Sequence, residues 1–417
     1  MNNLMKNPGL KTIIANGLVF LLPLVTLTAN RAVSTCSFAF VLMAMFLLKG
    51  SGSVLRRHLS EIRWILIAFL LNFLLVYASF LLRPNEVLGT LEKPVRMLFA
   101  SAALLVVLVL RPNRKSLWLG VMASAVAGAM FVGYQRWDLG MQRPGGLINA
   151  ITYGDLALLM GLLSLAALID LRDSKRSIWP WLTGLAALAG LIGSIFTGTR
   201  GGWVALIAAL FLFFKYSHLV RGKSIATICT LALGVLFIAY LVPQTGMRER
   251  AAVAIDEVRN YFNGTGTFTS IGLRFELWKA AALLIRQHPL TGSGIVSYRS
   301  ELAAAVTSEH LNPEILTLPH MHNDALQVLT TGGLIGFSAW LATLLAPFIF
   351  FLKVLNRRDV SKERTALALA GALLVLSYFC FGLTEVIFWS MRSSLFYALM
   401  VFLLVGFCLL AKERDGE

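Results

Sequence analysis

The sequence predicts an all-α, polytopic membrane protein with about 12 transmembrane helices, a large helical loop late in the chain and both termini cytoplasmic. Three observations predict it. Hydrophobic residues fill 57% of the 417 positions and charged residues 14%, with mean hydropathy +0.74, whereas an average soluble domain has roughly 45–50% apolar and 25% charged residues. Apolar runs of spanning length recur along the whole chain. The 37 Lys and Arg residues gather in alternate short loops rather than in one patch.

The predicted spans are 12–29, 33–48, 63–82, 94–110, 116–134, 152–170, 179–197, 202–216, 224–242, 326–352, 365–387 and 394–411. The first resembles a signal peptide, but it lacks a small-residue cleavage site and a second apolar run follows at once, so it is read as a retained helix. With a cytoplasmic N-terminus, 22 of the 37 basic residues fall in cytoplasmic segments and 8 in short external loops. The other 7 lie in the long loop, to which the positive-inside rule does not apply. This divides the chain into transmembrane helices 1–9 (residues 1–242), an external loop domain (243–325), and helices 10–12 with a cytoplasmic tail (326–417). A loop of this length is more than a connector. It opens at Pro243 and holds two helical stretches, Arg248 to Phe262 and Ile271 to Gln287, the second stopped by Pro289 and Gly292.

The formal charge of +16 is thus a topology signal, and nucleic-acid binding is excluded as its cause. Cys36, Cys229, Cys380 and Cys408 all sit in apolar runs, which implies neither a disulfide framework nor a Cys-type zinc site. Walker A, G-x-G-x-x-G and G-x-S-x-G patterns are absent, as is a D-x-D pair for a metal-bound sugar nucleotide.

The residues able to carry chemistry cluster externally. Thr197-Gly198-Thr199-Arg200-Gly201-Gly202-Trp203 joins two spans with almost no loop, and an arginine beside helix-start N–H groups suits a phosphate or pyrophosphate. A headgroup-snorkelling Arg200 reads equally well from the local pattern. Gly272-Leu273-Arg274-Phe275-Glu276-Leu277-Trp278-Lys279 puts Arg274 and Trp278 on one helix face and lets Glu276 pair with Lys279 on another. In Pro319-His320-Met321-His322-Asn323-Asp324 the two histidines fit no zinc spacing. With the aspartate they could still form a metal site; otherwise they are solvated loop residues or, at a helix start beside a membrane cavity, a general base. The loop carrying Arg136 and Arg143 adds two external cations.

Taken in order on this topology, T-G-T-R-G-G-W, G-L-R-F-E-L-W, H-P-L-T-G-S-G (His288 to Gly294) and H-M-H-N-D-A-L (ending at Leu326) resemble the O-antigen ligases of Gram-negative bacteria, within the wider O-antigen ligase and polymerase superfamily. The resemblance implies a multi-pass inner-membrane enzyme whose active site faces the periplasm. Its reaction would be metal-independent, inverting transfer of O-antigen from undecaprenyl pyrophosphate to a sugar hydroxyl of lipid A–core. Its partners would be that donor, that acceptor and membrane lipids, with no cofactor and no metal. His322 would be the base, and Arg200 and Arg274 would hold the pyrophosphate. Arg143, Arg136, Lys279, Asn323 and His320 are further candidates for binding substrate. An O-antigen polymerase and a protein O-oligosaccharyltransferase are the alternatives within the superfamily, and a lipid-linked sugar transporter is the alternative outside it.

Overall fold

Helices form wherever an apolar run must satisfy its own backbone in a medium without water. The computed structural model describes residues 8–49, 51–172, 177–199, 201–216, 234, 237, 240–242, 247–357 and 359–416. Within these residues the chain is helical and contains no strand. The helices are α1 (Pro8–Thr28), α2 (Ala32–Leu47), α3 (Gly52–Leu82), α4 (Glu92–Phe99), α5 (Ala102–Leu110), α6 (Arg114–Trp137), α7 (Ala150–Leu171), α8 (Trp179–Phe196) and α9 (Trp203–Lys215). Then follow α10 (Met247–Phe262), α11 (Ser270–Gln287), α12 (Tyr298–Ser308), α13 (Asp324–Leu355), α14 (Lys362–Gly382) and α15 (Met391–Asp415). Nine helical segments among the described residues are long and apolar enough to cross a membrane; α2 and α9 are shorter apolar helices. Eleven predicted spans fall on these helices, and the twelfth, 224–242, lies mostly outside the described residues, as does Cys229.

Hydropathy does not separate helices that face lipid from those that face protein; packing does. The most apolar stretches of α7, α14 and α15 are almost wholly buried inside the protein, while α3 and α13 present much more of theirs outward. Small residues let the central helices approach: a Cβ on Gly190 of α8 would lie 2.7 Å from the Gly161 backbone of α7.

Three predicted boundaries move. The run 94–110 is two helices, separated by a turn at Ala100 and Ser101. The predicted span 365–387 ends at Gly382, so residues 383–390 form a turn. The long loop gains a third helix, α12, and a 3-10 turn at Pro313–Thr317, and these close a small hydrophobic core around Leu277, Leu284, Leu302, Ile315 and Met321.

That core is fastened to the membrane helices by a break in one of them. Gly333, at φ 60°, interrupts α13. The freed carbonyls of Thr330 and Thr331 accept from the amides of Ser293 (2.8 Å) and Gly294 (2.9 Å). The freed amides of Leu334 and Ile335 donate to the carbonyls of Pro289 (2.9 Å) and Leu290 (3.1 Å). The backbones come so close that a side chain at Gly292 or Gly333 would strike the opposing main chain. Arg83, just past the end of α3, donates to the carbonyls of Thr291 (2.8 Å) and Gly292 (2.6 Å). The H-P-L-T-G-S-G stretch therefore satisfies orphaned backbone groups of a broken membrane helix.

Ion pairs mark one end of the bundle. Asp170 accepts from Arg114 (2.8 Å) and from the Trp118 indole (2.7 Å), Arg114 also meets Glu363 (3.1 Å), and Glu413 meets Arg57, His58 and Arg111. The start of α1 reaches the same end, where Asn16 accepts from the Asn113 amide (2.6 Å).

Candidate active site

At the opposite end, residues 316–324 lead into α13 and are tethered along their length. Arg299 donates to the carbonyls of Leu316 (3.1 Å) and Leu318 (2.6 Å), and Tyr298 to that of Pro319 (3.0 Å). Trp278 of α11 donates to the Met321 carbonyl (2.9 Å), and Gln327 accepts from the Met321 amide (3.0 Å). Asn323 caps α13 by accepting from the Leu326 amide (3.0 Å), while its amide nitrogen donates to the Leu383 carbonyl (3.0 Å). Both ends of the Asn323 side chain are thus engaged, the oxygen in capping α13 and the nitrogen in binding this segment to the 383–390 turn.

His322 occupies the left-handed region at φ 51°, which costs a residue with a Cβ roughly 1–2 kcal/mol. The surrounding tethers hold it there. The conformation brings the two histidines together: the His320 and His322 rings stand 4.5 Å apart, edge to face, and Trp389 lies 5.2 Å from His320. Between them sits Glu385 from the turn after α14. His320 Nε2 lies 2.9 Å from Glu385 Oε1, and His322 Nδ1 lies 3.1 Å from Oε2.

The protonation pattern follows from the partners. His320 Nδ1 accepts from the His322 amide (3.4 Å), so its proton sits on Nε2 and points at Glu385. A carboxylate can only accept, so His322 carries its proton on Nδ1. In the neutral imidazole the lone pair of His322 is then on Nε2, which makes no hydrogen bond among the described residues. Glu385 is 2% exposed. Burial pushes its carboxyl up, but the hydrogen bonds and charge of His320 and His322 outweigh that and bring it down to about 2. It is an anion at neutral pH that orients one histidine and fixes the tautomer of both.

Of the residues read from the sequence, the structure joins His320 and His322, and it puts Arg274 on the helix whose Trp278 holds the Met321 carbonyl between them. Arg274 lies one turn before Trp278 on the same face of α11, half-buried, with no ion pair or hydrogen bond among the described residues. Lys279 is turned to other work: it donates to Glu276 (2.8 Å) and lies over the Tyr261 ring (5.0 Å). Arg136 donates to the Phe196 carbonyl (3.0 Å) at the end of α8, and Arg143 is exposed on the following turn. Arg200 lies outside the described residues. Its neighbours are placed: Thr199 donates to the Ala150 carbonyl (2.9 Å), and a Cβ on Gly201 would collide with the Thr384 hydroxyl, one residue before Glu385. Glu385 itself was missed, because the apolar run Leu383-Thr384-Glu385-Val386-Ile387-Phe388 reads as the end of a span. Its signal was an unpaired acid in an apolar segment.

His320, His322 and Glu385 are also the described residues able to hold a metal ion: three donors, two from neighbouring positions and one from a distant turn.

Helices and site together define a polytopic membrane protein with a carboxylate–histidine centre at one end of its bundle. Residues 185–341 match the model of the O-antigen ligase family, so the resemblance read from the motifs is shown over that stretch. A Pseudomonas aeruginosa protein named O-antigen ligase is 27% identical over 331 residues, covering 76% of this chain and 71% of that one. An uncharacterized Haemophilus influenzae protein is 23% identical over 339 residues, covering 81% and 84%. Arg200, Arg274 and His322 fall inside the matched stretch and Glu385 outside it.

Proposed function

We propose that the protein is an O-antigen ligase: a metal-independent, inverting glycosyltransferase that moves O-antigen polysaccharide from undecaprenyl pyrophosphate to a sugar hydroxyl of lipid A–core, at the periplasmic face of the inner membrane. The observation that carries this reading is the His322–Glu385 pair, with Nδ1 tied to the carboxylate and Nε2 left to accept a proton. In the reaction Nε2 takes the proton of the acceptor hydroxyl while its oxygen attacks the anomeric carbon. The bond from that carbon to the pyrophosphate oxygen breaks with its electrons going to the phosphate, and one displacement inverts the centre. The imidazolium formed stands against an ionised Glu385, and base catalysis of this kind contributes about 10²–10⁴-fold. Arg274, half-buried and without a protein partner among the described residues, and Arg200 take the charge developing on the leaving pyrophosphate. The orientation rests on the gathering of basic residues towards the other end of the bundle.

The test is a reconstitution of purified protein with lipid-linked O-antigen and lipid A–core in liposomes without an ion gradient. Transfer to the core is expected. Growth of the lipid-linked chain would make it a polymerase, glycan on a protein acceptor an O-oligosaccharyltransferase, and movement of donor without transfer a transporter.

A further inference from the structure

One ring nitrogen of His320, one of His322 and a carboxylate oxygen of Glu385 lie within 4.8 Å of one another, and the nitrogens that face Glu385 are His320 Nε2 and His322 Nδ1. We propose that this cluster also binds a divalent transition-metal cation of the zinc type, and that the bound cation switches the enzyme off. Only the switching rests on the function proposed above; the binding does not.

Two imidazoles and one carboxylate form a donor set that zinc takes readily, leaving a fourth position for water. Hard cations such as magnesium prefer an all-oxygen site, so they are poor occupants. The donors are preassembled. His320 is 5% exposed and Glu385 2%, and the tethers on residues 316–323 hold both histidines before any ion arrives. His322 is more open than the other two, which gives the ion a way in.

The inhibitory sense follows from the bookkeeping of one proton. A neutral imidazole has one lone pair and one N–H. In the free site the His322 proton is on Nδ1 and the lone pair on Nε2. A metal on Nδ1 takes its lone pair there, so the proton moves to Nε2. No proton is lost from the ring, but Nε2 becomes a donor and can no longer accept the proton of a hydroxyl. His320 shifts in the same way, giving up the long 3.4 Å contact from the His322 amide. The metal therefore competes with the base for one ring.

The experiment uses the full chain purified in detergent, with any affinity tag removed, stripped with a chelator and titrated with zinc chloride. Bound metal is read by equilibrium dialysis with elemental analysis. One zinc per chain is expected, weakened in His320→Gln and Glu385→Gln by more than the roughly 10–100-fold that loss of an outer-shell partner costs, and unchanged in His288→Asn. Cobalt in place of zinc should give visible absorption bands in the unmodified protein, which checks the site without any variant. Zinc should suppress glycan transfer, and chelator should restore it. Absence of stoichiometric binding, binding indifferent to both variants, or activity that rises with zinc would overturn the proposal. If the protein transfers no glycan even when metal-free, the function proposed above fails while the binding arm still reports on the site.

Discussion

The two ends of the bundle both collect charge, and they do so differently. At the end holding Glu413 and Asp170, each of these acids meets an arginine: Asp170 has Arg114, and Glu413 has Arg57 and Arg111, several of them well exposed. At the other end Glu385 is deeply buried and meets two histidines, and Arg274 is left without a partner among the described residues. At the first end, Asp170 and Glu413 are satisfied within the protein. The second is incomplete in the two ways a substrate could complete: a lone pair on His322 and an unmatched cation on α11. Satisfied charge stabilises a fold; unmatched charge held in place marks where a ligand belongs.

Breaking the second end should cost activity rather than stability. His322→Ala is expected to lower transfer by about 10²–10⁴-fold while the detergent-solubilised protein keeps its melting temperature. Survival of activity would remove His322 from the mechanism. Arg274→Lys should slow turnover by about 10²-fold, since an ammonium does not reproduce the two-pronged guanidinium contact with phosphate. Arg200→Lys is expected to behave likewise, and full activity in that variant would favour an arginine that merely reaches for headgroups. Glu385→Gln keeps the shape but not the charge opposite the imidazolium, and a loss of roughly 10–100-fold is expected from losing a histidine-orienting carboxylate.

Breaking the first end should do the reverse. Asp170→Ala strips Arg114 and Trp118 of a buried partner and should destabilise by about 3–5 kcal/mol, read as thermal unfolding, with activity per folded molecule unchanged. The smallest effect belongs to the acid in the loop core. Burial pushes the Glu276 carboxyl up, but hydrogen bonds from Lys279, Tyr261 and the Asn312 amide bring it below its ordinary value. Its stabilisation is therefore fully present above the ordinary carboxylate range and is lost as pH falls through the lowered folded value. Acid should loosen the loop core, and the acid-dependent part should vanish in Glu276→Gln, as followed by hydrogen exchange of α11.

Much of the fold was legible because lipid imposes a single local rule: a long apolar run must be a helix. That rule located the described membrane helices, and the Glu276–Lys279 pair followed from helical spacing. It failed at residues 383–390, where hydropathy continues although the helix stops, and it was silent on α12, which needs the neighbouring α11 to bury its apolar side. In the candidate site, the two histidines and Arg274 stood out by residue type and position. Sequence alone could not say that Asn323 spends its side chain on a cap and a turn, or that Lys279 is spent on Glu276.

By itself, then, the sequence determined the class of molecule and the candidate chemistry at His322, because composition and periodicity are local properties. Only the tertiary structure decided that Glu385 holds His322 by Nδ1, that His320 shares the same carboxylate, and that Gly201 packs beside Thr384. Those are contacts between segments far apart in the chain. They depend on how a broken α13, the turn after α14 and the loop core pack at one end of the bundle, which no local pattern encodes.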